Sequence, residues 1–140
     1  MLTMTGLLTP GKSDFNNVNE FRINKVFYRL SPGIAYGTSW GKCRKDWGTD
    51  ADIAELEKNM DMMKEHFVDK GIPVIIGEYG CPVKNKDEDS IKKYLVSVCE
   101  AAYDRDMCPV LWDVTDAFYS RTSCSFKDKE ILKGLMDVKD

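Results

Sequence analysis

The chain has 140 residues, a net charge of −3, 43% hydrophobic and 31% charged residues, the balance of an ordinary globular domain with enough chain for a real core. There is no basic excess to engage phosphate backbones, which argues against nucleic acid as a partner. No stretch approaches the ~20 consecutive apolar residues of a membrane span.

The N-terminus, MLTMTGLLTPGK, has no basic n-region and no clear small-residue cleavage site, so it does not read as a signal peptide. Residues 1–22 are polar and rich in turn formers, and read as an irregular segment. The rest, 23–140, reads as one domain of strand–helix units. The first strand is INKVFYRL, 23–30, followed by the Gly- and aromatic-rich loop SPGIAYGTSWGKCRKDWG. Thr49 with Asp52 three residues on has the form of a capping box. Ile53, Leu56, Met60, Met63 and Phe67 then form one apolar helical stripe. Gly71 suits the helix C-terminus, and Pro73 prevents continuation.

The second strand, PVIIG at 73–77, is apolar on both faces, as a buried parallel strand is. Asp87 is positioned to cap a helix over 88–105 with Ile91, Leu95, Val98 and Ala102 on one face. CPVLWD, 108–113, is the third strand. DKEILKGLMD is a last helix expected to bury Ile131, Leu132, Leu135 and Met136. Strands alternating with helices imply an α/β fold with a parallel sheet and right-handed crossovers. The five cysteines contain no C-x-x-C pair, so no zinc site is expected. Cys99 and Cys108 read as core residues. Cys43, Cys81 and Cys124 fall in loops, where one disulfide is left open.

Parallel βα sheets carry their chemistry at the carboxyl ends of the strands. Glu78 sits at such an end, between Gly77 and Gly80, which are expected to let the backbone turn sharply. Trp112 and Asp113 occupy the equivalent end of the third strand, and Tyr28 and Arg29 that of the first. The loop after the first strand adds Tyr36, Trp40 and Trp47. A carboxylate among aromatic rings suits sugars, whose apolar faces stack on indole and phenol surfaces. A plainer reading stands beside this one: Glu78 caps a helix or pairs with a lysine, and Trp112 belongs to the core. The single histidine, His66, lies on the first helix far from the strand ends and reads as structural, so a His-based nucleophile relay is not expected.

KGIPVIIGEYG resembles the nucleophile motif of glycoside hydrolase family 5, the cellulase-type family, in which a glutamate follows a strand ending I-G-E-[FY]-G. WGTDADIAELEKNMDMMKEHFVDKG is similar to the preceding helix of the endoglucanase branch. MCPVLWDVTDAFYSRTSCSFKDKEILKGLM is similar to the last strand and helix, where the Trp of a W-D or W-N pair floors the subsite at the cleaved bond. The likeness runs over about residues 40–140 and is weak before residue 36.

The resemblance implies a partial (β/α)8 TIM barrel, with about three βα units corresponding to the last strands. It also implies retaining hydrolysis of β-1,4-glucan with Glu78 as nucleophile. Trp112, Trp40, Trp47, Tyr36 and Tyr28 would bind substrate, and no cofactor or metal is called for. The parent enzyme would be secreted, its export signal outside this chain. A retaining pair sets its carboxyls about 5–5.5 Å apart. The family's acid/base lies in an Asn-Glu-Pro motif on the fourth strand, which falls upstream of these residues. Asn19-Glu20 echoes that motif, but Phe21 replaces its proline. Glu20, Asp113, Asp116 or a partner chain's carboxylate are the candidates for the proton donor. The family's His-x-Tyr at the first strand end has no histidine here, where the text is VFYRLSP, and this weakens the expectation of efficient catalysis. A three-stranded arc leaves open edges, so a homo-oligomer is expected. The alternative function is a non-catalytic glucan-binding or inert barrel fragment.

Overall fold

Thr49 opens the first helix as the sequence predicts. Its side chain accepts from the Asp52 amide, the Asp52 carboxylate accepts from the Thr49 amide, and α1 runs Asp50–His66. The computed structural model of the protein describes residues 19–21, 44–113 and 116–138, with Asn19–Phe21 and Glu78 described by their backbone. The expected first strand at 23–30, with Tyr28, Tyr36, Trp40 and Cys43, lies outside the described residues.

Leu56, Met60, Met63 and Phe67 are buried along one side of α1, with Ile53 packed against them. The helix ends at His66, earlier than expected. A 3-10 turn, Val68–Lys70, then delivers the chain to Gly71, which adopts the left-handed conformation at φ 74°. That conformation is nearly free for glycine and costly for other residues.

Strand β2, Val74–Tyr79, is the middle of a parallel sheet with β1, Asn19–Phe21, on one side and β3, Cys108–Leu111, on the other. The presence of β1 corrects the expectation of an irregular segment through residue 22. Asn19, Glu20 and Phe21 pair in parallel with Val74, Ile75 and Ile76, so that their backbone groups join the ladder. Between β2 and β3 runs α2, Glu88–Tyr103, capped by the Asp87 carboxylate accepting from the Ser90 amide. Its expected stripe, Ile91, Leu95, Val98 and Ala102, is buried. Val74, Ile76 and Tyr79 of β2 bury with it and with the α1 stripe in one core. Arg105, just past α2, donates to Asp61 at 2.7 Å and to Glu57, and ties α2 to α1.

Beyond β3 a small antiparallel hairpin forms, β4 (Tyr119–Ser120) with β5 (Ser125–Phe126), closed by the edge-on packing of Tyr119 and Phe126 at 5.7 Å. The last helix, α3, Lys129–Asp137, is capped by Asp128. Only Ile131 of its expected stripe is buried. Leu135 is half-buried, while Leu132 and Met136 are exposed. The helix meets α2 and strand β5, and Leu132 and Met136 fall outside the buried side of these contacts. Cys108 is also exposed, against expectation, because it lies on the face of β3 that no described helix covers. Cys81, Cys99, Cys108 and Cys124 are all free thiols, so no disulfide joins Cys81 to Cys124.

Candidate active site

Glu78 lies at an irregularity in β2. Ile76 pairs with Pro109 and Tyr79 with Leu111, so three residue steps on β2 match two on β3. The extra residue is a β-bulge across Gly77–Glu78, a device that re-aims a strand and is frequent beside active sites. The bulge explains an odd step in burial: Ile76 and Tyr79 are both in the helix-side core, although strict alternation would separate them. The strand therefore continues through Glu78 to Tyr79, beyond the expected end at Gly77.

Tyr79 anchors the far side of the bulge. It is 2% exposed, and its hydroxyl lies beside the Cys99 thiol of α2. Burial and the neighbouring Cys99 push its phenol well above the ordinary tyrosine range, and burial likewise raises the Cys99 thiol. The Tyr79 carbonyl accepts from the Trp112 amide at 2.7 Å, so the carboxyl ends of β2 and β3 are joined. Neither Gly77 nor Gly80 takes a positive φ. The expectation of a sharp glycine turn gives way to a different requirement at Gly80: a Cβ there would stand 3.1 Å from the Trp112 carbonyl oxygen.

Trp112 is 44% exposed at the end of β3, and Val110 one step back on the same face is equally exposed. Trp47 behaves differently. It is 7% exposed and packs edge-on against Tyr94 of α2, ring centres 5.2 Å apart. Its assignment as a substrate platform is thus corrected: the ring is part of the core and holds down the loop before α1.

Asp113 is also corrected, as a proton donor. Its Oδ1 accepts from the Ala117 amide at 2.9 Å, and its Oδ2 from the Phe118 and Tyr119 amides at 2.8 Å each. Both oxygens serve the backbone of the following loop. Glu20 pairs in register with Ile75, so its backbone sits about 10 Å back along the sheet from Glu78, in the body of the ladder and not in a carboxyl-end loop. Asp116 lies in the loop Asp113 gathers, 3.7 Å from the Arg121 guanidinium. His66 is exposed at the end of α1, its Nδ1 2.9 Å from the Met62 carbonyl, a local contact in keeping with a structural role. Sequence reading missed the part played by Asp113 and Gly80; the signals were a carboxylate followed by a turn-forming run, and a glycine abutting a neighbouring strand end.

Residues 33–118 match the model of the cellulase family, glycosyl hydrolase family 5. The chain belongs to this family. Endoglucanase B of Clostridium cellulovorans is 39% identical over 67 residues, which is 48% of this chain and 15% of that protein. A GH5-4 broad specificity endoglucanase from an uncultured bovine rumen ciliate is 33% identical, with a TM-score of 0.64, over 68% of this chain and 29% of that one. A tri-modular GH5 subfamily 4 endo-β-1,4-glucanase from Bacillus licheniformis, complexed with cellotetraose, aligns with 97% of this chain and 25% of its own at a TM-score of 0.73 and 24% identity; it supports the fold alone. The chain spans about a sixth of the length of the curated relatives it matches. The fold is accordingly an arc of a family 5 TIM barrel, with no closed barrel among the described residues.

Proposed function

We propose that this chain carries the nucleophile strand and a glucan-stacking platform of a retaining β-1,4-glucan hydrolase. Glu78 is the nucleophile and Trp112 the platform. The observation that carries this reading is the bulge at Gly77–Glu78, tied through Tyr79 to the backbone of an exposed tryptophan. Tyr79 is committed to the helix side of the sheet, and Val110 and Trp112 lie exposed on the face that no described helix covers. The family 5 membership, and relatives described as endoglucanases, support the same chemistry.

In that chemistry the Glu78 carboxylate attacks the anomeric carbon while a second carboxyl protonates the departing oxygen. The resulting glycosyl ester is hydrolysed by water, with the second carboxyl now acting as base. Asp113 is spent on backbone amides, Glu20 lies back along the sheet and Asp116 stands beside Arg121; in this reading the proton donor comes from outside the described residues or from another chain. A second copy of this chain joining at the open sheet edges is one source. Sedimentation equilibrium tests it, and a protein that stays monomeric at assay concentration removes that source.

The deciding experiment is reducing-sugar release from soluble carboxymethylcellulose by the purified protein and by Glu78→Gln prepared identically. Turnover lost in the variant supports the reading. Equal signals from the two proteins remove Glu78 as nucleophile. Glucan binding without turnover in either protein supports the alternative of a non-catalytic binding fragment.

A further inference from the structure

Asp113 accepts three consecutive backbone amides while its own carbonyl accepts from the Arg121 guanidinium at 3.1 Å. Its chain neighbour Trp112 is held on the other side by the Tyr79 carbonyl. Between these two attachments the backbone of Trp112 has little freedom to pivot. Phe118, whose amide is one of the three, is buried and approaches Gly80: a Cβ at Gly80 would lie 3.9 Å from the Phe118 ring. The loop that Asp113 gathers therefore returns to the strand end it left, and closes a chain of contacts, Tyr79–Trp112–Asp113–Phe118–Gly80, directly after Glu78.

We propose that Asp113 is a positioning residue for Trp112: it folds the loop after β3 against the end of β2 and so fixes the exposed indole relative to Glu78. This rests on the reading of Trp112 as a glucan platform. The physical reason is the number and direction of the bonds. A carboxylate offers several lone pairs and serves three converging N–H groups at once. An alanine serves none and leaves three donors without their partner, and an asparagine keeps one acceptor oxygen of the two. The indole contributes to binding only if its face stays parallel to the sugar path, since misplacement by about 1 Å is enough to lose much of a positioned contact.

The test is calorimetric binding of cellotetraose to the wild-type protein, Trp112→Ala, Asp113→Ala, Asp113→Asn and the double variant Trp112→Ala/Asp113→Ala, each checked to be folded by its melting transition. The expected result is a loss of about tenfold for each alanine variant, a smaller loss for Asp113→Asn, and no further loss in the double variant, because two residues acting through one contact are not additive. Wild-type binding by both Asp113 variants, or losses that multiply in the double variant, overturns the proposal and leaves the platform reading standing. Wild-type binding by Trp112→Ala removes the platform reading and this proposal with it. A measurement without glucan completes the test. The Ala117, Phe118 and Tyr119 amides of the wild-type protein should be protected from hydrogen exchange, and exposed in Asp113→Ala. Fast exchange at all three in the wild type also overturns the proposal, as does a variant whose unfolding prevents the binding measurement while Asp113→Asn, still folded, binds as the wild type does.

Discussion

The Trp112 amide donates to the Tyr79 carbonyl at 2.7 Å, so an exposed indole and a buried phenol on neighbouring strands share one backbone rung. The two side chains point their energetics in opposite directions. Tyr79 is fastened into the helix-side core, and that anchorage is passed through the rung to Trp112 on the open side. Gly80 stands against the same rung. A methyl group added there meets the Trp112 carbonyl oxygen at 3.1 Å, and backbone has less room to yield than a flexible side chain. Gly80→Ala is expected to cost about 1–2 kcal/mol through overpacking and to weaken cellotetraose binding. Urea unfolding with a wild-type midpoint would show that the strand ends can separate without penalty.

Tyr79 itself gives a second prediction. Tyr79→Phe keeps the ring and removes the buried hydroxyl beside the Cys99 thiol, a change expected to cost about 1 kcal/mol. Tyr79→Leu leaves a void where the ring was and is expected to cost about 3 kcal/mol. The raised phenol pKa adds a pH signature. In the unfolded chain the group ionises near 10, whereas in the fold it resists ionisation. The stability it contributes is therefore complete below about pH 10 and is lost as pH rises above that value. Urea midpoints of wild type and Tyr79→Phe measured from pH 8 to 11 should converge on the alkaline side; parallel curves would contradict the assignment.

How far these features could be read from sequence depended on whether their cause was local. The cap of α1 was legible because Thr49 and Asp52 satisfy each other within one turn, and the cap of α2 because Asp87 reaches only to Ser90. The bulge left a trace too, since Gly77 inside a strand pattern is a recognised sign of one, although the strand was expected to stop there. Trp47 was misread because its loop looks exposed in sequence, while its partner Tyr94 is far along the chain. Met136 and Leu132 were misread because a periodic stripe says which side of a helix is apolar, and nothing about whether a neighbour covers it. The hairpin of β4 and β5 escaped notice because each strand has only two residues, too few for an alternation to register.

The thiols separate by environment. Cys81 is buried and Cys99 half-buried, whereas Cys108 and Cys124 are exposed. Burial raises the Cys99 thiol pKa and keeps it a poor nucleophile. Native protein treated with a disulfide reagent near pH 8 is expected to be modified rapidly at Cys108 and Cys124 and slowly at Cys81 and Cys99, as read by peptide mass mapping. Rapid labelling of Cys81 would contradict the packing of the loop after β2.

Asp52 supplies the acid counterpart to Tyr79. Its carboxylate is 5% exposed, and it accepts from both terminal nitrogens of Arg44, from the Gly48 and Thr49 amides and from the Thr49 hydroxyl. Burial opposes its charge, but the Arg44 guanidinium and the Thr49 and Gly48 donors outweigh that cost and hold the carboxyl well below the usual carboxylate range. Arg44 is a third exposed, so solvent screens part of the attraction. The unfolded chain binds this proton near pH 4 and the fold does so only at lower pH. The Asp52 contribution is thus fully present above about pH 4 and is lost as pH falls below it. Asp52→Asn forfeits the ion pair and part of the N-terminal cap of α1, at a cost of about 2 kcal/mol at neutral pH. Urea midpoints of the two proteins, followed from pH 7 to 2, should therefore be furthest apart at neutrality and draw together in acid. A constant gap over that range would mean that Asp52 acts through its shape and not through its charge.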